Sequence, residues 1–134
     1  MFKEIKYRGQ LLAIIIKRKY QKEGISFFTP NEFSQQLAYM KHGQGHKISP
    51  HVHKKVPRRV VYTQEVLFIK SGQVKVDLYT QKRKYLESFI LNAGDVILLA
   101  YGGHGFTMLK PSEIIEVKQG PYVGQEDKVR FEGK

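Results

Sequence analysis

The chain has 134 residues, enough for one domain with one sizeable core and too few for a second. It contains no cysteine, which excludes disulfides and thiolate metal sites. Its formal net charge of +11 is large for this length and points to an anionic partner: nucleic acid, acidic lipid or a phosphorylated small molecule.

The first apolar run, LLAIII (11–16), is flanked on both sides by lysine and arginine. It is too short to span a bilayer and no small-residue cleavage site follows it, so it predicts a strand in a cytoplasmic protein with no membrane association. A basic group, Lys17, Arg18, Lys19 and Lys22, comes next, then the run FFT. Thr29-Pro30-Asn31-Glu32 offers a cap and a first-turn proline for a short helix reaching at most through NEFSQQ, with a plain turn as the competing reading. QLAYM follows, and then the histidine-bearing stretch GHKISPHVH. A second basic group, Lys54, Lys55, Arg58 and Arg59, leads to the run VVY and to EVLFIK.

Val74, Val76 and Leu78 alternate with Lys75, Asp77 and Tyr79, the pattern of a half-buried strand. Ser71-Gly72-Gln73 joins that strand to EVLFIK and predicts a glycine-containing hairpin. Lys82, Arg83 and Lys84 form a third basic group, and the first and third groups are expected to be solvated turns. YLESFIL, VILLA, FTML and IIEV complete the apolar runs, and the tail after Pro121 is polar and expected to pack loosely outside. Many short strands at near-regular spacing predict an all-β sandwich or barrel.

Four residues stand out chemically. Successive side chains of a strand point to opposite faces, so His51 and His53 project together if their segment is extended. Glu65 opens a strand and shares a face with Leu67 and Ile69, where a carboxylate is costly unless paired or metal-bound. The competing role for Glu65 is as a surface partner for Arg58 or Arg59. His104 lies in YGGHGF, either as a ligand or as a turn residue. Three imidazoles and a carboxylate together make a four-ligand site for a divalent transition metal. His42 and His46 are expected at the surface or beside the ligands. Arginine forks bind carboxylate and phosphate, so Arg58 and Arg59 are candidate anion-binding residues, with a solvated basic loop as the equal alternative. Tyr62 and Tyr101 are candidates to supply hydroxyls to a cavity or to pack at its rim.

These residues resemble the motifs of the cupin superfamily. Gly45 is followed by five residues and then His51 and His53, and Glu65 is followed by six residues and then Gly72, matching the first cupin motif on each side of its gap. Gly94, five residues, then Ala100, Gly102 and His104 resemble the second motif. The chain departs from the pattern in three places. Eleven residues separate His53 from Glu65 where the motif has three or four, Ala100 replaces a proline with His104 one residue early, and the motif's final asparagine is missing. The first departure looks like an inserted loop.

The resemblance covers roughly residues 36–118. It implies a cupin-type jelly-roll β-barrel, a single domain over 1–134, with the metal inside near one open end and homodimers common. It suggests a small single-domain bacterial cupin holding Fe, Mn, Ni or Zn through His51, His53, Glu65 and His104. Arg58, Arg59, Tyr62 and Tyr101 are then substrate-binding candidates at a basic mouth. The expected substrate is an anionic small molecule such as a sugar phosphate or nucleotide sugar, with isomerase or epimerase chemistry in carbohydrate metabolism. A cupin dioxygenase and a non-catalytic binding module are the alternatives, because fold does not settle function. Nucleic-acid binding is not expected: the aromatics are not interleaved with the basic groups as a base-stacking platform requires.

Overall fold

A computed structural model describes residues Phe2–Lys134. Ten strands form in chain order: β1 (Phe2–Tyr7), β2 (Gln10–Ile16), β3 (Gly24–Phe27), β4 (Ala38–Lys41), β5 (Glu65–Ser71), β6 (Gln73–Tyr79), β7 (Tyr85–Asn92), β8 (Val96–Leu99), β9 (Gly103–Met108) and β10 (Glu113–Lys118). A short 3-10 turn, Gly124–Asp127, is the one helical element among the described residues. All strand pairing is antiparallel, in a five-stranded sheet ordered β1-β2-β8-β5-β10, a three-stranded sheet ordered β7-β6-β9, and the β3-β4 hairpin. The protein is therefore nearly all-β, and the sheets remain separate hydrogen-bonded units with no closed barrel among the described residues.

The sequence pattern explains the layering. In β2, Ala13 and Ile15 face the three-stranded sheet, and in β8 Ile97 and Leu99 do the same. They meet Val74, Val76 and Leu78 of β6 and Leu91 of β7 in the main core. The alternate residues Ile14, Ile16 and Leu98 turn the other way and are covered by Tyr20, Phe28, Phe33 and Leu37. A strand buried on both faces reads as an unbroken apolar run, which is why LLAIII and VILLA show no alternation while VKVDLY does.

Three expectations change. EVLFIK and VKVDLY are consecutive but not a hairpin: β5 pairs with β8 and β10, and β6 pairs with β7 and β9. Gly72 (φ 90°) is a corner at which the chain crosses from one sheet to the other, and a Cβ there would lie 2.3 Å from the Pro111 carbonyl oxygen and from Ser112 Oγ. The stretch 30–36 is a turn and not a helix, fixed by Thr29 Oγ1, which donates to Gln36 Oε1 (2.8 Å) and accepts from the Leu37 amide (3.2 Å). VVY (60–62) forms no strand and is solvent-exposed.

The first basic group is partly structural. Asp95 is 3 % exposed. Its carboxylate accepts from Lys17 Nζ (3.0 Å) and from the amides of Arg18 (2.8 Å) and Asn92 (2.7 Å), tying the end of β2 to the turn before β8. The tail is also more ordered than its polarity suggests. Phe131 stacks edge-on against Tyr79 (5.0 Å), and the Lys134 amide donates to the Tyr79 hydroxyl (3.3 Å).

Gly72→Ala is expected to destabilise the fold by at least about 2 kcal/mol, combining a left-handed backbone with a clash against main chain. Gly105→Ala, at a position where a Cβ meets nothing within 4 Å, is the control and is expected to change stability by less than about 1 kcal/mol. Urea unfolding of both variants measures the difference.

Candidate functional site

Glu65 opens β5 on the same face as the buried Leu67 and Ile69, and its carboxylate is 12 % exposed. Within the sheet it stands opposite Lys118 of β10 and Leu99 of β8. His104 comes from the facing sheet, on β9 directly opposite Leu78, and shares an inward face with Phe106. The two side chains meet across the gap between sheets, with His104 Nε2 and Glu65 Oε1 2.9 Å apart. Lys118 Nζ lies 3.7 Å from the other carboxylate oxygen and 3.3 Å from Glu116. The carboxylate that would be costly at the end of an apolar core is thus satisfied from two directions.

The hydrogen bond from His104 holds Glu65 below the usual carboxylate range. Burial opposes this, and the charges on His104, Lys118 and Lys128 reinforce it. Lys118 is pushed up, first by its contact with Glu116 and further by the charges on Glu116, Glu65 and Asp127, with burial acting the other way. The Tyr101 hydroxyl is also pushed up, by desolvation and then by Tyr62. Tyr62 and Tyr101 pack edge to face at 5.2 Å, three residues from Glu65 and from His104 respectively.

The inserted segment does not stay with this pair. Residues 43–62 are all solvent-exposed and form an arm between β4 and β5, whose last residues line a cleft against the body. His51 and His53 lie on it with ring centroids 5.3 Å apart, so they do project together, although their backbone is not hydrogen-bonded into a strand. Among the described residues, no group of three or more histidine, aspartate or glutamate side chains is close enough to hold a metal ion. Of the four predicted ligands, the fold joins Glu65 to His104 and His51 to His53, as two separate pairs. His42 and His46 stack at 3.9 Å at the base of the arm, His46 exposed and His42 half-buried. Arg59 is exposed, while Arg58 lines a cleft of about 640 Å³ with Tyr62, Thr63, Gly120, Pro121, Glu126 and Asp127.

The arm is rooted firmly at its second end. Thr63 donates to Asp127, Gln64 Oε1 accepts from the Gln35 amide (3.0 Å), and the Gln64 carbonyl accepts from the Gln119 amide (2.9 Å). Lys118, Gln119 and Asp127 are neighbours of the site that sequence reasoning did not single out. Only the β5–β10 register brings Lys118 opposite Glu65, and nothing local in EIIEVK signals it. No protein-family model, curated protein or solved structure matches this chain.

Because folding strengthens the acidity of Glu65, its ionised form stabilises the fold above the ordinary carboxylate value, about 4.3. That contribution is lost as pH falls through the lower folded value. Glu65→Gln is expected to lose about 1–3 kcal/mol at pH 7, the range for a hydrogen bond to a charged group. The gap from wild type should close as pH falls below the ordinary carboxylate value, as urea-unfolding free energies measured down the acid range will report.

Proposed function

We propose that this chain is a metal-dependent, homodimeric cupin-type protein whose substrate is an anionic small molecule such as a sugar phosphate or nucleotide sugar, handled by isomerase- or epimerase-like chemistry. The observation that carries this reading is the Glu65–His104 contact. It is a polar pair from two facing sheets, set at the end of an otherwise apolar core and left partly open to solvent.

The donor set fits a metal. Imidazole nitrogen and carboxylate oxygen, with no thiolate anywhere in the chain, suit Fe, Mn, Ni or Zn. Glu65 and His104 would hold the ion from the body, with His51 and His53 as the remaining ligands. When bound, such an ion supplies Lewis-acid polarisation of a carbonyl or enediol oxygen. The residues themselves divide the other work. Lys118 orients the Glu65 carboxylate through its second oxygen. Tyr62 and Tyr101, packed on each other three residues before Glu65 and His104, would offer hydroxyls to a substrate. Arg58, on the wall of the neighbouring cleft, offers a fork for a phosphate or carboxylate, and Arg59 adds charge at the same end of the arm. Asp127, on the same wall, is engaged by Thr63 and lies within the field of Lys118.

Elemental analysis of protein purified without a histidine tag is expected to show bound transition metal. The metal should be lost in His51→Ala/His53→Ala with most of the fold intact by circular dichroism. Unchanged stoichiometry in that double variant would rule out the ligand assignment. Arg58→Ala/Arg59→Ala is expected to keep the metal but to bind a panel of sugar phosphates about ten- to a hundredfold more weakly, the effect of losing one charge-assisted contact. Titration calorimetry reads that loss, and wild-type affinity in this variant would make the arm's charges a solvated feature.

A further inference from the structure

We propose that the arm carrying His51 and His53 is exchanged between two copies of this chain. Each site would then be composite, with Glu65 and His104 from one copy and the histidine pair from the other. The inference rests on the reading of these four residues as one site, and it says which chain supplies which half.

The first observation is the arm itself. Among the described residues, 47–63 form no backbone–backbone hydrogen bond and belong to no strand. The arm is also rich in β-branched residues, and Ile48, Val52, Val56, Val60 and Val61 are all exposed, Val52 by 90 %. Their even-numbered members share one face of an extended strand, with His51 and His53 on the other. Such a pattern belongs to a strand packed on something, not to a solvated loop.

The second observation is a matching vacancy in the sheets. The five-stranded sheet ends on β10 and the three-stranded sheet ends on β9, and each of these strands pairs on one side only. Glu65 sits beside β10 and touches β9, so both open edges flank the Glu65–His104 pair. Outside Gly105 of β9 there is open space. The outer face at this flank leaves Phe68, Ile115 and Val117 exposed, the first two directly opposite each other across β5 and β10. Unpaired edges are templates for another strand.

These observations select a second copy as the occupant. The chain's own arm is anchored at both ends, by β4 before it and by the Tyr62–Gln64 contacts after it. Its last residues line the cleft beside Gly120 and Asp127, whereas residues 47–57, with both histidines, make no hydrogen bond or ion pair to the body among the described residues. Each copy therefore carries one unpaired arm and, in β9, one of the two open edges at this flank. Reciprocal exchange about a two-fold axis satisfies both in each copy and closes the assembly. Gly45 (φ 84°) at the base supplies the turn. Pro50 and Pro57 cannot donate to a ladder, so pairing is confined to the stretch between them, which contains both histidines. On β9 the inward residues are His104 and Phe106, and Gly105 points outward. With His53 beside His104 on an antiparallel arm, Val52 falls opposite Gly105.

The test uses the absence of cysteine in the native chain. Val52→Cys/Gly105→Cys is oxidised and run on a non-reducing gel. Exchange predicts a covalent dimer as the main species, absent from either single variant. Loss of free thiols at monomer mass would mean the arm closes on its own body, and thiols that stay free would mean it does not pair with β9; either overturns the proposal. A second measurement separates this inference from the metal reading. His51→Ala/His53→Ala and Glu65→Gln/His104→Ala are co-expressed with different tags and the mixed dimer is isolated. Exchange leaves one of its two sites intact, so about half the wild-type metal per chain should return. Metal in wild type but none in the mixed dimer would refute the exchange. A covalent dimer from protein that holds no metal would support the exchange and refute the metal site.

Discussion

The rest of the structure depends on β2 and β8 being buried on both faces. Each lies inside the five-stranded sheet with one set of alternating side chains in the main core and the other under the apolar cover of Tyr20, Phe28, Phe33 and Leu37. A strand buried in this way has no polar face to give to solvent, so its register cannot slip without exposing a full row of apolar groups. That fixed register then propagates outward. It sets β5 against β8, and so places Glu65 opposite Leu99 at the sheet's end. It also places β10 against β5, bringing Lys118 alongside Glu65. Hydrophobic packing that takes no part in chemistry thereby decides where the charged groups stand.

The polar pair at the sheet's end shows how a carboxylate is tolerated beside an apolar core. Glu65 loses solvation, and the loss is offset by a hydrogen bond from one sheet and a cation from the other. Because the three groups come from β5, β9 and β10, the cluster also ties the two sheets where their edges are open. The buried Asp95 does comparable work elsewhere with backbone amides and Lys17. Asp95 is buried and its acceptors are taken up by Lys17, Arg18 and Asn92, whereas His104 remains about one-third exposed. Of the two carboxylates, only Glu65 is placed to engage anything from outside.

Much of this could be read from the sequence. The strand runs were legible wherever composition and period agreed, as in YLESFIL and VKVDLY, and the inward face of Glu65 followed from its spacing to Leu67 and Ile69. Pairing was not legible. Alternation tells which face a residue takes but not which strand lies beside it, so the Gly72 corner read as a hairpin and Lys118 went unnoticed. The same limit applies to the histidines. The spacing of His51 and His53 showed that they project together, yet the intervening eleven residues hid that the segment stands away from Glu65 and His104. VVY shows the converse, since β-branched composition creates a strand only where a neighbour exists to complete the ladder.

The Gly72 corner has a mechanical consequence for the Glu65–His104 pair. From Glu65 the chain runs the length of β5, turns through a single residue, and returns along β6, where Leu78 lies beside His104. A one-residue connection leaves no slack, so the two sheets cannot slide past one another without bending a corner already braced against Pro111 and Ser112. The distance between carboxylate and imidazole is therefore held by the stiffness of two full strands, so the backbone of the fold, and not the two side chains alone, keeps the pair together.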